Sequence, residues 1–414
     1  MLKDIFVVSD AAHHAYSSML GGHLDGFRAR LVALGYRHAT IREKLWVVTG
    51  LARWMARKRL AIGDLDERRA DEFLAARRRR GREDRVSRWT LRQLIEHLRV
   101  ASVVPTPVAE VDRSALATLL AGYETHLRQA RALAEVTIAA YLSWAREFVD
   151  ERLGSDVGGA RALGAGDARD FLLARVHRVA PRRAQYIATT LRSFLRFLFV
   201  RGETSTDLTL AVPTVRQWRL ANVPRYMPAT DVERLLRSCD LSSATGRRDH
   251  AVLLLLARLG LRASEVAALE LEDLRWREGE IVVRGKGLIR DRLPLPAEVG
   301  KALALYLRKD RPSCVSRRIF LCRRAPHRGF GHPSTVSTIV ARALVRAGLA
   351  PATRGAHLLR HSLATAMIRR EASLAEIGQV LRHRSPNTTE IYAKLDFSSL
   401  RDVALPWPTA RGAQ

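Results

Sequence analysis

Apolar residues recur at helical spacing through most of the chain. Ile41, Leu45, Val48 and Leu51 mark one face of a helix in "ATIREKLWVVTGLARWM" (39–55). The same spacing returns in "VTIAAYLSWAREFVDER" (136–152), with Ile138, Tyr141, Leu142 and Phe148. Downstream of each, "DEFLAAR" (71–77) lines up with "RDFLLAR" (169–175), at an offset that holds to within one residue. Each copy continues through a Gly/Asp-containing turn to a helix ending in Arg. The pattern predicts two small all-α units of one plan, related by duplication.

Stretches with proline and no periodicity separate the units. "VVPTPVAEVD" (103–112) and "TDLTLAVPTVRQWRLANVPRYMPATD" (206–231) read as extended connectors. The longer one exceeds what a compact domain ordinarily holds, so it predicts a domain boundary. The expected units are 1–102, 112–205, a linker at 206–227, a C-terminal domain at 228–405 and a tail at 406–414. Within that domain "PATDVERLLRSC" predicts a helix capped by Thr230 or Asp231. "RDHAVLLLLARLG" predicts a buried helix ending at Gly260. "SEVAALELEDL" predicts a further helix capped by Ser264. "EIVVRGKGLIRDRLPLP" (280–296) changes character: it is β-rich with a Gly-Lys-Gly turn, a hairpin signal. From "HPSTVSTIVARALVRAGL" onward the pattern is helical again. The fold class is mainly α with a small antiparallel β-sheet.

Composition sharpens this. The 414 residues carry a formal charge of +28, from 70 Lys and Arg against 42 Asp and Glu. Such an excess repels itself unless a polyanion neutralises it, so nucleic acid is the expected partner. Lysine occurs only at 3, 44, 58, 286, 301, 309 and 394. Codon bias accounts for arginine replacing lysine, but not for cations outnumbering anions. Three cysteines, Cys239, Cys314 and Cys322, make no disulfide framework and point to a reducing cytoplasm. No apolar run reaches the ~18 residues of a membrane span. "MLKDIFVVSDAAHH" lacks the apolar region and cleavage site of a signal peptide. The expectation is a cytoplasmic, nucleoid-associated protein.

Five short pieces of the C-terminal domain carry polar groups that suit phosphoryl transfer. Arg262 follows a buried helix in "LGLRASEVAAL", and Lys286 sits at a hairpin tip in "RGKGLIR". His357 and Arg360 fall at i and i+3 in "HLLRHS", on one helical face. His383 lies in "LRHRS" and Tyr392 in "EIYAKL". Each alone has a plain reading as a surface cation, a turn lysine, a helix-start histidine or a core aromatic. Together they are coherent. A phosphodiester attacked by a side-chain oxygen gathers negative charge on two non-bridging oxygens, which arginine forks match bidentately. Losing one such electrostatic group costs about 100-fold or more in rate. A phenol with pKa ~10 needs a base or a positive field to become a nucleophile, and histidines trade protons near neutrality. The leaving 5′-oxygen needs a proton, which a mobile lysine supplies. No step requires a metal or other cofactor, and no Asp/Glu cluster is spaced to hold magnesium.

The order R…K…HxxR…H…Y, in the contexts "GLRxSE", "HxLRHS" and "LxHxSxxTTxxY", resembles the tyrosine recombinase (phage integrase, Xer-type) family. The resemblance covers roughly 228–400 as its catalytic domain, of the DNA breaking-rejoining fold, and 114–202 as its helical, SAM-like core-binding domain. It implies that Arg262 and Arg360 clamp the scissile phosphate. Lys286 becomes the general acid, His357 assists proton transfer, His383 hydrogen-bonds the phosphate, and Tyr392 attacks to form a 3′-phosphotyrosyl link. It further implies a site-specific recombinase or integrase that works on double-stranded DNA recombination sites as a homotetrameric synaptic complex, alone or with other recombinases, and that is encoded by a mobile element. His361 and Glu265 belong to the same motifs and are assigned a structural role. Apolar Leu400, Val403, Leu405 and Trp407 are placed to dock on a neighbouring protomer or on their own domain.

Two departures stand out. Arg382 occupies the position before the third histidine where the family usually has glycine, and residues 1–100 exceed a minimal family member. That extra region reads as an arm-type DNA-binding domain or as a second core-binding clamp. Its run "AARRRRGREDR" (75–85) offers Arg77, Arg78, Arg79, Arg80 and Arg82 to phosphates, with a solvated helix end as the plain alternative. Arg182 and Arg183 are the corresponding candidates in the core-binding segment. Cys314, Cys322, His327 and His332 lie close in sequence but lack the short Cys pair of a zinc site. Two rival functions share much of this signal: a type IB topoisomerase-like relaxing enzyme, and a catalytically inactive DNA-binding regulator.

Overall fold

The computed structural model describes residues 18–79, 81, 85–106, 114–154, 157–216, 223–285 and 290–395. It divides into two compact units, residues 108–222 and residues 1–107 together with 223–414. Among the described residues no helix is long and apolar enough to cross a membrane.

The N-terminal lobe contains α1 (Gly21–Ala33), α2 (His38–Arg57), a 3₁₀ turn (Ile62–Asp64), α3 (Glu67–Arg78) and α4 (Arg85–Val100). The unit 108–222 repeats this order with α5 (Ala115–Gln129), α6 (Glu135–Arg152), a 3₁₀ stretch (Val157–Ala162), α7 (Ala165–Val176) and α8 (Pro181–Val200). The buried positions correspond as well. Ile41, Ala70, Phe73 and Leu74 are matched by Ile138, Ala168, Phe171 and Leu172, and Leu91, Leu94, Ile95 and Leu98 by Leu191, Phe194, Leu195 and Leu198. The guanidinium of Arg77 lies 5.7 Å from the Phe73 ring, and that of Arg175 lies 3.5 Å from the Phe171 ring.

The second unit runs past residue 205. A 3₁₀ turn, Leu208–Ala211, brings Leu208 and Val212 into its core. Asp207 caps the turn by accepting from the Thr209 N–H at 3.0 Å, and it pairs with Arg196. The long stretch expected as an open connector therefore begins as a strap of this unit. Val104 likewise belongs to the N-terminal core.

The C-terminal lobe is built on α10. It contains α9 (Ala229–Arg237), α10 (Ala244–Leu259), α11 (Ala263–Ala268), strands β1 (Leu274–Arg275), β2 (Glu280–Arg284) and β3 (Arg290–Pro294), then α12 (Ala297–Lys309), α13 (Ser334–Arg346), α14 (His357–Ile368) and α15 (Leu374–Val380). Residues Ala251 through Ala257 of α10 are all buried, which is what a helix apolar all round requires. The main-chain N–H of His327, in this lobe, donates to the carbonyl of Leu34 at 3.0 Å, which ties it to the N-terminal lobe.

The sheet is antiparallel in the order β1-β2-β3, with Leu274 opposite Ile281 and Val282 opposite Arg292. Strand β1 begins at Leu274, the last residue of the segment expected to be one helix. That helix stops at Ala268, because Asp273 accepts from the Glu270 N–H at 2.8 Å and closes a separate 3₁₀ turn, Leu271–Asp273. Two expected caps also differ. The N-cap of α9 is Pro228, not Thr230 or Asp231, and the N-cap of α11 is Arg262, not Ser264.

Because α10 is packed on every side, Leu254→Ala leaves a cavity that its neighbours fill only in part. The expected loss is about 2–5 kcal/mol, read as an earlier urea transition of the C-terminal lobe.

Candidate active site

The site forms where α10, α11, α14 and α15 end or begin. Ser243 caps α10 at one end, accepting from the Gly246 N–H at 3.0 Å. At the other end Gly260 takes φ +58°, the left-handed conformation that stops a helix. Glycine is required there twice over, since a Cβ would lie 2.8 Å from the Leu381 side chain and 3.0 Å from that of Leu363. This turn delivers Arg262 as the first residue of the α11 corner. Glu265, one turn on, fixes it: its carboxylate accepts from the Arg262 main-chain N–H at 2.8 Å and from Arg262 Nη1 at 2.7 Å.

Arg360 lies on α14 and is 3% exposed. Its Nη1 donates to the carbonyl of Gly260 and its Nη2 to that of Leu381, joining the end of α10 to the end of α15. His357, the first residue of α14, is exposed, with its ring 6.2 Å from that of His361 one turn later. Arg382 follows Leu381 with φ +55°, and its Nη2 donates at 2.8 Å to the Glu265 oxygen that also accepts the Arg262 main-chain N–H.

His383 sits in the turn after α15. Its Nδ1 bonds the hydroxyl of Thr389 at 2.8 Å, which leaves Nε2 to meet a ligand. Tyr392 lies in a 3₁₀ segment, Glu390–Leu395, and its N–H donates to the carbonyl of Thr389 at 2.9 Å. The ring is buried among Ala364, Ile368, Ile377, Leu381 and Leu395. Its hydroxyl is 2.7 Å from His361 Nδ1. So Tyr392 is a core aromatic whose polar tip enters the arginine–histidine cluster.

The charges interact at short range because Arg360, Glu265 and Tyr392 are buried. Burial, followed by the charges of Arg262 and Arg382, presses the Arg360 pKa down to about 10, so it stays cationic at neutral pH. Burial, then His357 and Arg360, lowers His361 to about 4. Burial, then Arg360, Arg262, Arg382 and His361, lowers His383 to about 4. Burial raises Tyr392 to about 12, against the opposing pull of Arg360. Burial also works against the Glu265 charge, but the Arg262 N–H and the charges of Arg382 and Arg262 outweigh it and keep the carboxyl below its usual range. At neutral pH the resting site thus holds three guanidiniums, one carboxylate, two neutral imidazoles and a protonated phenol.

Of the residues singled out in the sequence, Arg262, Arg360, His383 and Tyr392 come together, with His357 at the rim. Lys286 lies outside the described residues, between β2 and β3. The sequence reading undervalued His361, which holds the Tyr392 hydroxyl rather than merely ordering a helix. The signal was present: His361 directly follows Arg360 and stands one turn after His357. Among the candidate DNA contacts, Arg77 packs on Phe73 and its Nε is buried without a partner, whereas Arg78 and Arg79 are exposed. Arg80 and Arg82 lie outside the described residues. Arg182 and Arg183 are exposed in the first turn of α8, with Arg183 6.0 Å from the Trp144 ring. His327 Nδ1 bonds the carbonyl of Cys322 at 3.1 Å, and the described residues contain no group of three or more His, Cys, Asp or Glu able to hold a metal ion.

The histidine shifts make a solution prediction. His361 and His383 bind protons more weakly folded, at about 4, than unfolded, at ~6.5. Between those values the unfolded chain holds more protons, so stability rises with pH. The melting temperature of the free protein should fall as pH is lowered from about 7 to about 5. His361→Asn and His383→Asn should each flatten that slope in a calorimetric series.

Comparison with known proteins places the chain in a family. Residues 225–399 match the model of the phage integrase family. Over 390 residues the chain is 43% identical to the putative integrase/recombinase y4rA of Sinorhizobium fredii, covering 92% of this chain and 93% of that one. Among solved structures, the XerH site-specific recombinase bound to palindromic difH substrate, a post-cleavage complex, aligns with TM-score 0.53 at 17% identity, covering 89% of this chain and 97% of that one. A lambda integrase tetramer bound to a Holliday junction aligns with TM-score 0.52 at 16% identity, covering 80% and 91%. The structural likeness is one of fold; the sequence relationship, extending over nearly the whole chain, carries the family assignment. The chain belongs to the phage integrase, or tyrosine recombinase, family.

Proposed function

We propose that this protein is a site-specific DNA recombinase that cuts and rejoins strands through Tyr392, and that it serves a mobile element. The observation that carries the reading is the Tyr392 hydroxyl, presented from a buried ring at 2.7 Å to His361 and within the field of Arg360. A tyrosine kept only for packing has no use for a neutral imidazole and a buried cation at its tip.

The reaction balances without an outside reagent. The Tyr392 oxygen attacks the scissile phosphorus, the bond to the 5′-oxygen breaks, and a 3′-phosphotyrosyl link and a 5′-hydroxyl result. The phenol proton leaves by way of His361 and exposed His357 to solvent, and Lys286 protonates the 5′-oxygen. In the resting site the proton strongly prefers the phenol, at about 12, over His361, at about 4. Burial thus sets the resting equilibrium against a free phenolate, so deprotonation is assigned to the same step as formation of the new P–O bond. Arg262 and Arg360 hold the non-bridging oxygens, and His383 Nε2 adds a further donor. Because the covalent link keeps the energy of the broken phosphodiester, a 5′-hydroxyl from a partner strand reverses the steps and rejoins DNA.

The partners follow from the charge and from the relatives. The XerH complex holds its difH substrate and the lambda integrase tetramer holds a Holliday junction. On that basis four protomers bring two duplexes together, with phosphate contacts supplying affinity and fewer base contacts supplying specificity. Exposed Arg182 and Arg183 on the core-binding unit and exposed Arg78 and Arg79 on the N-terminal lobe are assigned to phosphates. Relaxation of supercoils without recombinant products would favour the topoisomerase-like alternative instead.

Mixing the full-length protein in EDTA with nicked duplexes from the DNA flanking its own gene should give a covalent protein–DNA band on a denaturing gel. Tyr392→Phe should bind the same duplexes and give none; a band surviving in Tyr392→Phe would remove the nucleophile assignment. Lys286→Ala should cleave slowly, and a substrate with sulfur at the 5′-bridging position should restore its rate, since a thiolate leaves without a proton. A sulfur substrate that fails to help would count against the general-acid role.

A further inference from the structure

We propose that Arg382 is a positioning residue of the strand-transfer site: through the carboxylate it shares with Arg262, it fixes that arginine and restores the positive charge that the carboxylate cancels. The inference rests on the Tyr392 reading above and adds a residue to it.

The backbone supplies the first observation. Arg382 has φ +55° at the end of α15, a conformation glycine adopts freely and residues with a Cβ do not. An arginine at such a position, if kept only for solubility, would extend into water. This one turns inward, with 7% of its side chain exposed. Its Nε is buried without a hydrogen-bond partner, 3.9 Å from the Asp291 carboxylate. Left-handed backbone and an unmet buried donor are both destabilising. Such features persist where something other than stability gains from them.

The geometry around Glu265 shows what gains. One carboxylate oxygen accepts from Arg262 Nη1 at 2.7 Å and the other from Arg382 Nη2 at 2.8 Å. Glu265 is 3% exposed at its side chain, so its charge acts at short range with little screening. It is needed to orient Arg262 and to cap α11, yet it cancels one of the cations meant for the phosphate. With Arg262 and Arg360 alone, the balance around Glu265 would be a single positive charge. Arg382 raises it to two. The phosphodiester enters with one negative charge, and addition of the phenolate oxygen puts a second on the non-bridging oxygens. The three arginines less Glu265 therefore match the transition state rather than the ground state, which is the condition for accelerating the step. Glu265, bonded at both oxygens, also cannot rotate and carry Arg262 with it. Arg382 also reaches the sheet, since Asp291, 3.9 Å from its Nε, lies on β3.

Single-turnover cleavage of the nicked flanking duplex, with full-length protein in saturating excess, tests this. Arg382→Gly should leave the DNA dissociation constant within about twofold and the melting temperature close to wild type, since relief of the left-handed turn offsets loss of the buried pair with Glu265. The rate of covalent adduct formation should fall by about tenfold or more. Arg382→Lys, which keeps the charge without the fork, should recover part of that rate. Glu265→Gln combined with Arg382→Gly should lose less than the product of the two single losses, because the charge being offset is gone. Wild-type cleavage by Arg382→Gly overturns the inference, as do losses that simply track weaker DNA binding or a lower melting temperature. A wild-type protein that forms no adduct sinks the Tyr392 reading and this inference with it. Adduct formation by wild type and Arg382→Gly at one rate removes this inference alone.

Discussion

Arg360 carries a full charge into a place where 3% of the residue meets solvent, and its guanidinium donates to two main-chain carbonyls, those of Gly260 and Leu381. Taking such a cation out of water costs several kcal/mol or more unless an anion compensates it, and Glu265 is already shared by two other arginines. The C-terminal lobe has accepted an arrangement that is poor for stability and well suited to a ligand with two equivalent anionic oxygens. The same side chain is a strut. By joining the end of α10 to the end of α15 it sets the corner from which Arg262 emerges, and it sets the wall of the small core that holds the Tyr392 ring. The charge of the candidate site and the local architecture therefore depend on one side chain.

Much of the fold was legible because helices announce themselves through their period. The two sets of four helices, the buried α10 with its glycine stop, and the β2–β3 hairpin all follow from residue pattern. Where the reading missed, long-range contacts had decided. "SEVAALELEDL" has helical periodicity throughout, but the Asp273 carboxylate closes a separate turn at Glu270 and the following residues pair with β2. "DLTLAV" lacks a period long enough to announce a turn, yet Leu208 and Val212 have a core to enter. The caps at Arg262 and Pro228 show the same limit: a serine or threonine of the right type loses to the position where the chain must change direction.

The candidate site was legible as a set of residue types, not as a set of contacts. Arg262, Arg360, His383 and Tyr392 could be named from their motifs, but nothing local says that the Tyr392 hydroxyl meets His361, thirty-one positions away along the chain. Nor does it say that Arg382, which looked like a disturbance of a glycine turn, folds back onto Glu265. Both are consequences of packing α14 and α15 against the end of α10. Each helical unit carries exposed arginines, and the two share an element order and the Phe73–Arg77 and Phe171–Arg175 pairs.

The central claim is that one phenolic oxygen becomes covalently bound to DNA. It is tested most directly by digesting the adduct formed on a nicked flanking duplex with protease and nuclease and sequencing the modified peptide by mass spectrometry. The account predicts a nucleotide-3′-phosphate mass on Tyr392, within the peptide that contains "EIYAK", formed equally well in EDTA. The same mass on another tyrosine or on a serine, or an adduct that requires a divalent metal, would contradict it.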